Sequence, residues 1–208
     1  MNSIFNFIIK PTNERYDNEI SIGSKKLIIN TKIEDFVNIS RNATVVAVPL
    51  AYKTPISIGD EIIVHHNIFR RWYDMKGNER NSAKYFKDNL YFADVDQVFL
   101  YKKQAKWISF NDRCFVKPLK NNDSFKTDKT KKLFGILKIS NSSLEALGLN
   151  VGDTVSYPPK RDWEFVLDGE LLYCMKSNDI VLKHEHEENQ TEYNPGWANS
   201  RRRISKSC

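Results

Sequence analysis

The stretch SIGDEIIVHH, Ser57 to His66, returns further along the chain as NVGDTVSYPP, Asn150 to Pro159. In both, a hydrophobe precedes Gly-Asp and a strand-forming run follows. Glycine accepts a positive φ and aspartate can bond its own backbone, so each copy reads as a tight turn feeding a strand. A motif written twice asks first whether the flanking segments repeat as well.

They do, and in the same order. Phe7-Ile8-Ile9-Lys10-Pro11 matches Cys114-Phe115-Val116-Lys117-Pro118, each an apolar strand closed by Lys-Pro, and proline, lacking a donor, ends the ladder there. Thr44 to Val48 pairs with Gly135 to Ile139, both rich in strand formers. Leu90 to Ala93 and Val98 to Tyr101 align with Leu172 to Met175 and Ile180 to Lys183, each pair split by a polar bend holding Asp94 and Asp96 or Ser177 to Asp179. The reading is two homologous domains, residues 1–103 and 107–186, followed by a flexible basic tail over 187–208.

Short strands, frequent turn signals and no sustained 3.6-residue period predict an all-β barrel or sandwich. One short helical turn is expected over Ser143 to Leu149. The copies differ in their loops. Copy one has a long first connection, Thr12 to Asn42, and an extra polar segment from Asp74 to Asp88. Loops accept insertions and often carry function.

The chain of 208 residues is 40% hydrophobic and 12% aromatic, enough for one or two folded cores. Its net charge of +6 comes from 32 basic residues interleaved with 26 acidic ones. Such mixing reads as a solvated surface in preference to a nucleic-acid footprint. Cys114, Cys174 and Cys208 are widely spaced with no CxxC pair; the first two read as core residues, in a reduced, cytoplasmic setting. No apolar run approaches the roughly 20 residues of a membrane span, and no export signal is apparent. Local sequence offers no nucleophile with its base, no phosphate-cradling glycine loop and no HExxH, so neither an enzyme nor a cofactor is expected. Lys183-His184-Glu185-His186 reads as a charged strand end rather than a metal site.

The order of these segments resembles the GroES-like co-chaperonin family: a first strand ending in a basic residue, a long loop, a strand beginning at glycine, a hydrophobe-Gly-Asp turn and a closing hairpin. Copy two carries it most clearly, in Asn111 to Lys117, Gly135 to Ile139, Val151 to Val155, and Leu171 to Met175 through Asp179 to Leu182. The resemblance covers about Phe5 to Lys183. It implies two tandem irregular β-barrels assembled into a homo-oligomeric ring. Such a ring caps a GroEL-like chaperonin, with its bound ATP and the unfolded client inside the chamber. It also implies that a mobile first loop docks on the chaperonin through a short apolar stretch, here Leu27, Ile28 and Ile29; the alternative is that these three form an ordinary strand pairing within the barrel, with Ile20 and Ile22 continuing the sheet. Copy two has in that place the polar segment Asn121 to Lys132, with Phe125 its single aromatic, and is expected to dock poorly. The family's roof is reduced to Leu50–Pro55 and Asn141–Leu147.

Two further clusters read as partner contacts: Phe69, Arg70, Arg71, Trp72 and Tyr73 after the first Gly-Asp strand, and Trp197 with Arg201, Arg202 and Arg203 in the tail. In the first, aromatics interleaved with arginine can stack single-stranded bases, or else form a domain interface or cover the barrel mouth, which is preferred; in the second, docking on a partner or on nucleic acid stands beside the preferred reading of a solubilising extension. The other whole-chain reading is a structural or assembly protein, virion or nucleic-acid associated, built on GroES-like domains without chaperonin activity. The richness in Asn, Lys and Ile suits an AT-rich genome such as a phage's, which places the protein in a host cytoplasm under either reading.

Overall fold

A computed structural model describes residues 3–16, 19–22, 25–28, 39–121, 129–185 and 190–198; for residues 19–22 and 25–28 the backbone alone is described. The chain divides into two compact units, Met1–Trp107 and Ile108–Cys208. The first contains β1 (Phe7–Pro11), β2 (Glu19–Ile22), β3 (Lys25–Ile28), β4 (Asn42–Ala47), β5 (Glu61–Val64), β6 (Arg71–Tyr73), β7 (Glu79–Asn81), β8 (Tyr91–Ala93) and β9 (Val98–Lys103); β10 (Lys106–Ser109) follows where the chain passes onward. The second contains β11 (Arg113–Lys120), β12 (Thr130–Ile139), α1 (Ser142–Ala146), β13 (Thr154–Ser156), β14 (Trp163–Leu167), β15 (Glu170–Lys176) and β16 (Leu182–His184).

Each unit is built on one six-stranded antiparallel sheet, in the orders β10-β9-β5-β4-β1-β8 and β14-β15-β11-β12-β13-β16. Reversing the first shows a shared frame of five strands: β8-β1-β4-β5-β9 corresponds to β15-β11-β12-β13-β16. Each unit then adds one strand, at opposite ends of that frame. The described residues are mostly β, as the all-β expectation has it, and among them no closed barrel is found: both sheets are open in strand order.

The register repeats residue by residue. Phe7, Ile8 and Ile9 face Ala93, Phe92 and Tyr91, as Cys114, Phe115 and Val116 face Met175, Cys174 and Tyr173. Ile9, Lys10 and Pro11 face Val45, Thr44 and Ala43, as Val116, Lys117 and Pro118 face Leu137, Ile136 and Gly135. Both ladders shift at the same step, between Ile8 and Ile9 and between Phe115 and Val116. One sequence match is corrected here: Gly135 is the counterpart of Ala43, not of Thr44. Both segments are runs of strand formers, so composition leaves the phase open. A slip of one residue would exchange the buried and outer faces of the strand, and burial of Val45 and Leu137 settles it.

The Gly-Asp turn repeats atom by atom. Gly59 N–H donates to Val45 O and Gly152 N–H to Leu137 O, both at 2.8 Å, while Val45 and Leu137 donate back to Asp60 O (3.0 Å) and Asp153 O (2.9 Å). The two glycines sit at φ +91° and +101°, where a side chain would be strained. Each aspartate carboxylate accepts the backbone N–H three residues earlier, from Ser57 or Asn150, at 2.7 Å. Each is also met by a lysine from the last frame strand, Lys103 (2.7 Å) or Lys183 (2.6 Å).

Alternation along the strands sends Phe7, Ile9, Val45, Ile62 and Tyr91 into the core of unit 1, and Cys114, Val116, Leu137, Val155 and Tyr173 into that of unit 2. Cys114 and Cys174 are free and buried, and burial pushes the Cys114 thiol up to about 12. The polar bends before β9 and β16 are single 3-10 turns, Val95–Gln97 and Ser177–Asp179. α1 is capped by Asn141, whose side-chain oxygen accepts from Leu144 N and whose amide donates to Arg113 O and Ser177 Oγ at 2.7 Å. That cap fixes Leu144 in the core. Among the described residues no helix is long and apolar enough to cross a membrane.

Candidate docking surface

The long first connection of unit 1 holds a β-hairpin. β2 and β3 pair as a two-stranded sheet of their own, with Ile20 opposite Leu27 and Glu19 opposite Ile28. Leu27 and Ile28 therefore lie on a strand, in which each of the paired runs, Glu-Ile-Ser-Ile and Lys-Lys-Leu-Ile, carries strand-forming isoleucine. Ile29 lies outside the described residues. So does the corresponding part of unit 2, residues 122–128, with Phe125.

The cluster from Phe69 to Tyr73 separates into an anchor and a display. Phe69 is fully buried and meets Tyr91 edge to face at 5.0 Å, so its expected role as a partner contact is corrected: an apolar ring next to β-strand positions filled the core instead. Arg71 is also largely withdrawn. Its guanidinium lies 4.3 Å over the Tyr16 ring and 3.5 Å from Glu79, and its backbone N–H donates to Tyr16 Oη at 2.8 Å. Burial raises the Tyr16 phenol above its ordinary value. Arg70 stays exposed, and Trp72 and Tyr73 are 48% and 41% exposed.

Trp72 and Tyr73 belong to the hairpin β6–β7, in which Arg71, Trp72 and Tyr73 face Asn81, Arg80 and Glu79. The extra polar segment of copy one is therefore an ordered structure. Its turn is closed by Asp74, whose carboxylate accepts from the N–H groups of Lys76 and Asn78 at 2.9 Å and from the Arg80 guanidinium at 3.0 Å. The N–H of Asn78 above all, together with these other donors, holds the Asp74 carboxyl below the usual carboxylate range. Gly77 supplies the positive φ of +78° that the turn needs.

Arg15, which sequence reasoning passed over, fastens the hairpin to the sheet. It donates twice to Phe69 O (2.9 and 3.2 Å) and once to Asn81 Oδ1 (2.8 Å). The signal for the turn was present in Asp74-Met75-Lys76-Gly77-Asn78, which carries turn chemistry at both ends. No local pattern signals Arg15, which acts across more than fifty residues. The result is a preorganised hairpin that presents Trp72, Tyr73 and the fully exposed Met75.

In the C-terminal segment the expected flexible tail is corrected over residues 190–198, which pack on unit 2. Lys120 N–H donates to Thr191 O at 2.7 Å and Tyr193 N–H to Pro118 O at 2.8 Å. Asn194 bridges Leu171 N (2.8 Å), Gly169 O (3.1 Å) and the Lys117 ammonium (3.1 Å). Lys117 is 2% exposed and takes Glu170 as its charged partner at 3.3 Å. A buried ammonium requires such partners, and Asn194 supplies one from outside the frame. Trp197 is exposed; Arg201, Arg202 and Arg203 lie outside the described residues. His184 bonds Ser156 Oγ at 2.6 Å, and among the described residues no group of three or more His, Cys, Asp or Glu is placed to hold a metal ion.

Compared with known proteins, the chain matches no family model and no curated protein.

Proposed function

We propose that the chain is a non-enzymatic co-chaperonin of the GroES-like type. Its two units are tandem versions of the GroES-like domain, and it acts in the cytoplasm as a ring that caps a chaperonin while that partner turns over ATP around an unfolded client. The observation that carries this reading is the separate hairpin β2–β3, bearing Leu27 and Ile28, in the first connection of a sheet whose strand order and Gly-Asp turn are written twice. A short apolar stretch on a hairpin suits reversible docking. Ordering a free loop costs about 1–2 kcal/mol per residue, a pre-paired hairpin lowers that cost, and several weak contacts in a ring sum to a firm grip.

The test is to mix the protein with a bacterial chaperonin and ATP or a non-hydrolysed analogue and to look for a capped complex by electron microscopy. The double variant Leu27→Ser, Ile28→Ser is expected to weaken capping by about tenfold or more. Undiminished capping by that variant contradicts the docking assignment. A second reading, an assembly protein that works through β6–β7 without a chaperonin, is favoured by the exposure of Trp72 and Tyr73. It is selected if no capped complex forms under any nucleotide.

A further inference from the structure

Hairpin β6–β7 holds an exposed Trp, Tyr and Met on a rigid base, the residue types that concentrate binding energy at protein interfaces. Its surroundings are basic. Residues 70–88 carry six cations and three carboxylates; of the cations Arg70, Lys76, Arg80 and Lys87 are exposed, with Arg80 paired to Asp74. The opposite character appears in the other unit. β14 stands at the end of its sheet, and residues 162–170 carry four carboxylates and no cation. Asp162 and Glu164 are exposed there, and their charges reach the neighbouring Tyr173 phenol, whose proton is held chiefly by burial. An edge strand is a ready contact for another chain; on the β14 edge Asp162 and Glu164 stand exposed, beside Lys160 and an Arg161 that is 3.3 Å from Asp179.

We infer that β6–β7 of one copy docks on the β14 edge of unit 2 of a second copy. Trp72 and Tyr73 would supply the apolar centre, with Arg70 and Lys76 set against Asp162 and Glu164. Hairpin and edge belong to different units, so the contact joins unlike surfaces head to tail. Repeated, such a contact closes a ring or extends a filament. A single-stranded nucleic acid is the competing occupant. It is the weaker fit because Arg71 and Arg80 are already engaged by Glu79 and Asp74, leaving fewer cations to track a phosphate chain. The inference does not rest on chaperonin docking, and its readout is separate from capping.

The test is sedimentation velocity on the full chain at low salt and at about 1 M salt, where screening shortens to about 3 Å. Alongside it, each variant's fold is checked by near-ultraviolet circular dichroism. The expected result is an assembly larger than a monomer at low salt that loosens at high salt. Trp72→Ser should weaken association about tenfold or more. The paired reversals Arg70→Glu, Lys76→Glu and Asp162→Lys, Glu164→Lys should each shift the protein toward monomer, and combining them should restore the assembly. A wild-type monomer at low salt overturns the inference, as does a combined variant no better than its parents. Loss of binding to a labelled single-stranded oligonucleotide by Trp72→Ser, with the mass unchanged, also overturns it and assigns the hairpin to nucleic acid.

Discussion

Opposite Pro11 in the first unit stands Ala43; opposite Pro118 in the second stands Gly135. The strands around these two positions share their order, their register and the bulge between Ile8 and Ile9 or Phe115 and Val116, but the second ladder shifts again between Pro118 and Lys120 and the room at the matching site differs. A methyl group is buried without conflict in unit 1. In unit 2 a Cβ on Gly135 would come within 2.3 Å of Val116 Cγ1 and 2.6 Å of Lys117 O. Lys117 itself differs from its counterpart, being buried against Glu170 and Asn194 where Lys10 is exposed. The two units thus share the hydrogen-bonded frame and the Gly-Asp turn, whereas in unit 2 the space beside β11 holds a C-terminal strap and a buried ammonium.

The largest effect expected from this difference is at Gly135. Gly135→Ala must move backbone or the Val116 side chain, and is expected to destabilise unit 2 by about 1–3 kcal/mol. The reciprocal Ala43→Gly is expected to destabilise unit 1 by about 0.5–1 kcal/mol through chain entropy, with a further contribution from the lost methyl. Hydrogen exchange read separately on peptides from each unit distinguishes the two. Equal small effects at both sites would break the comparison.

A smaller contrast concerns acid. His66 follows β5 in unit 1, and the position matching it in unit 2 is Pro159. Burial, then the stacked His65, then Arg41 and Arg70 push the His66 imidazole from 6.5 down to about 4. The unfolded chain therefore takes up this proton first as pH falls. The stability that comes from keeping His66 neutral is complete above pH 6.5 and is lost progressively toward about pH 4. Unit 2 has Asp153, whose carboxyl is lowered from 3.8 by the Asn150 N–H and by Lys183, so its contribution declines only below that value. Unit 1 is expected to loosen first on acidification, and His66→Gln to flatten that slope. Simultaneous loosening of both units, or no change of slope in the variant, would count against it.

Much of the frame was legible because it depends on local chemistry. The Gly-Asp turns, the Lys-Pro strand ends and the paired bends before β9 and β16 each follow from residues adjacent in sequence. The phase of β4 against β12 was not legible, since both are runs of strand formers and the register is decided across the sheet. The hairpin β6–β7 had its turn signal in Asp74 to Asn78, but its anchoring by Arg15 and Tyr16 joins residues far apart in the chain. Phe69 was misread for the same reason: next to arginines and aromatics in sequence, it is claimed by Tyr91 in space. The order of residues 190–198 depends on Asn194 reaching Lys117, a long-range polar contact that composition does not reveal.

The central claim is that one sheet is written twice in a single register, and cross-strand nuclear Overhauser effects on the full chain test it most directly. The account predicts contacts between Ile9 and Val45 and between Val116 and Leu137, the pairs that the shared ladder sets opposite each other. Contacts from Ile9 to Val46 in place of Val45, with Val116 still opposite Leu137, would contradict it.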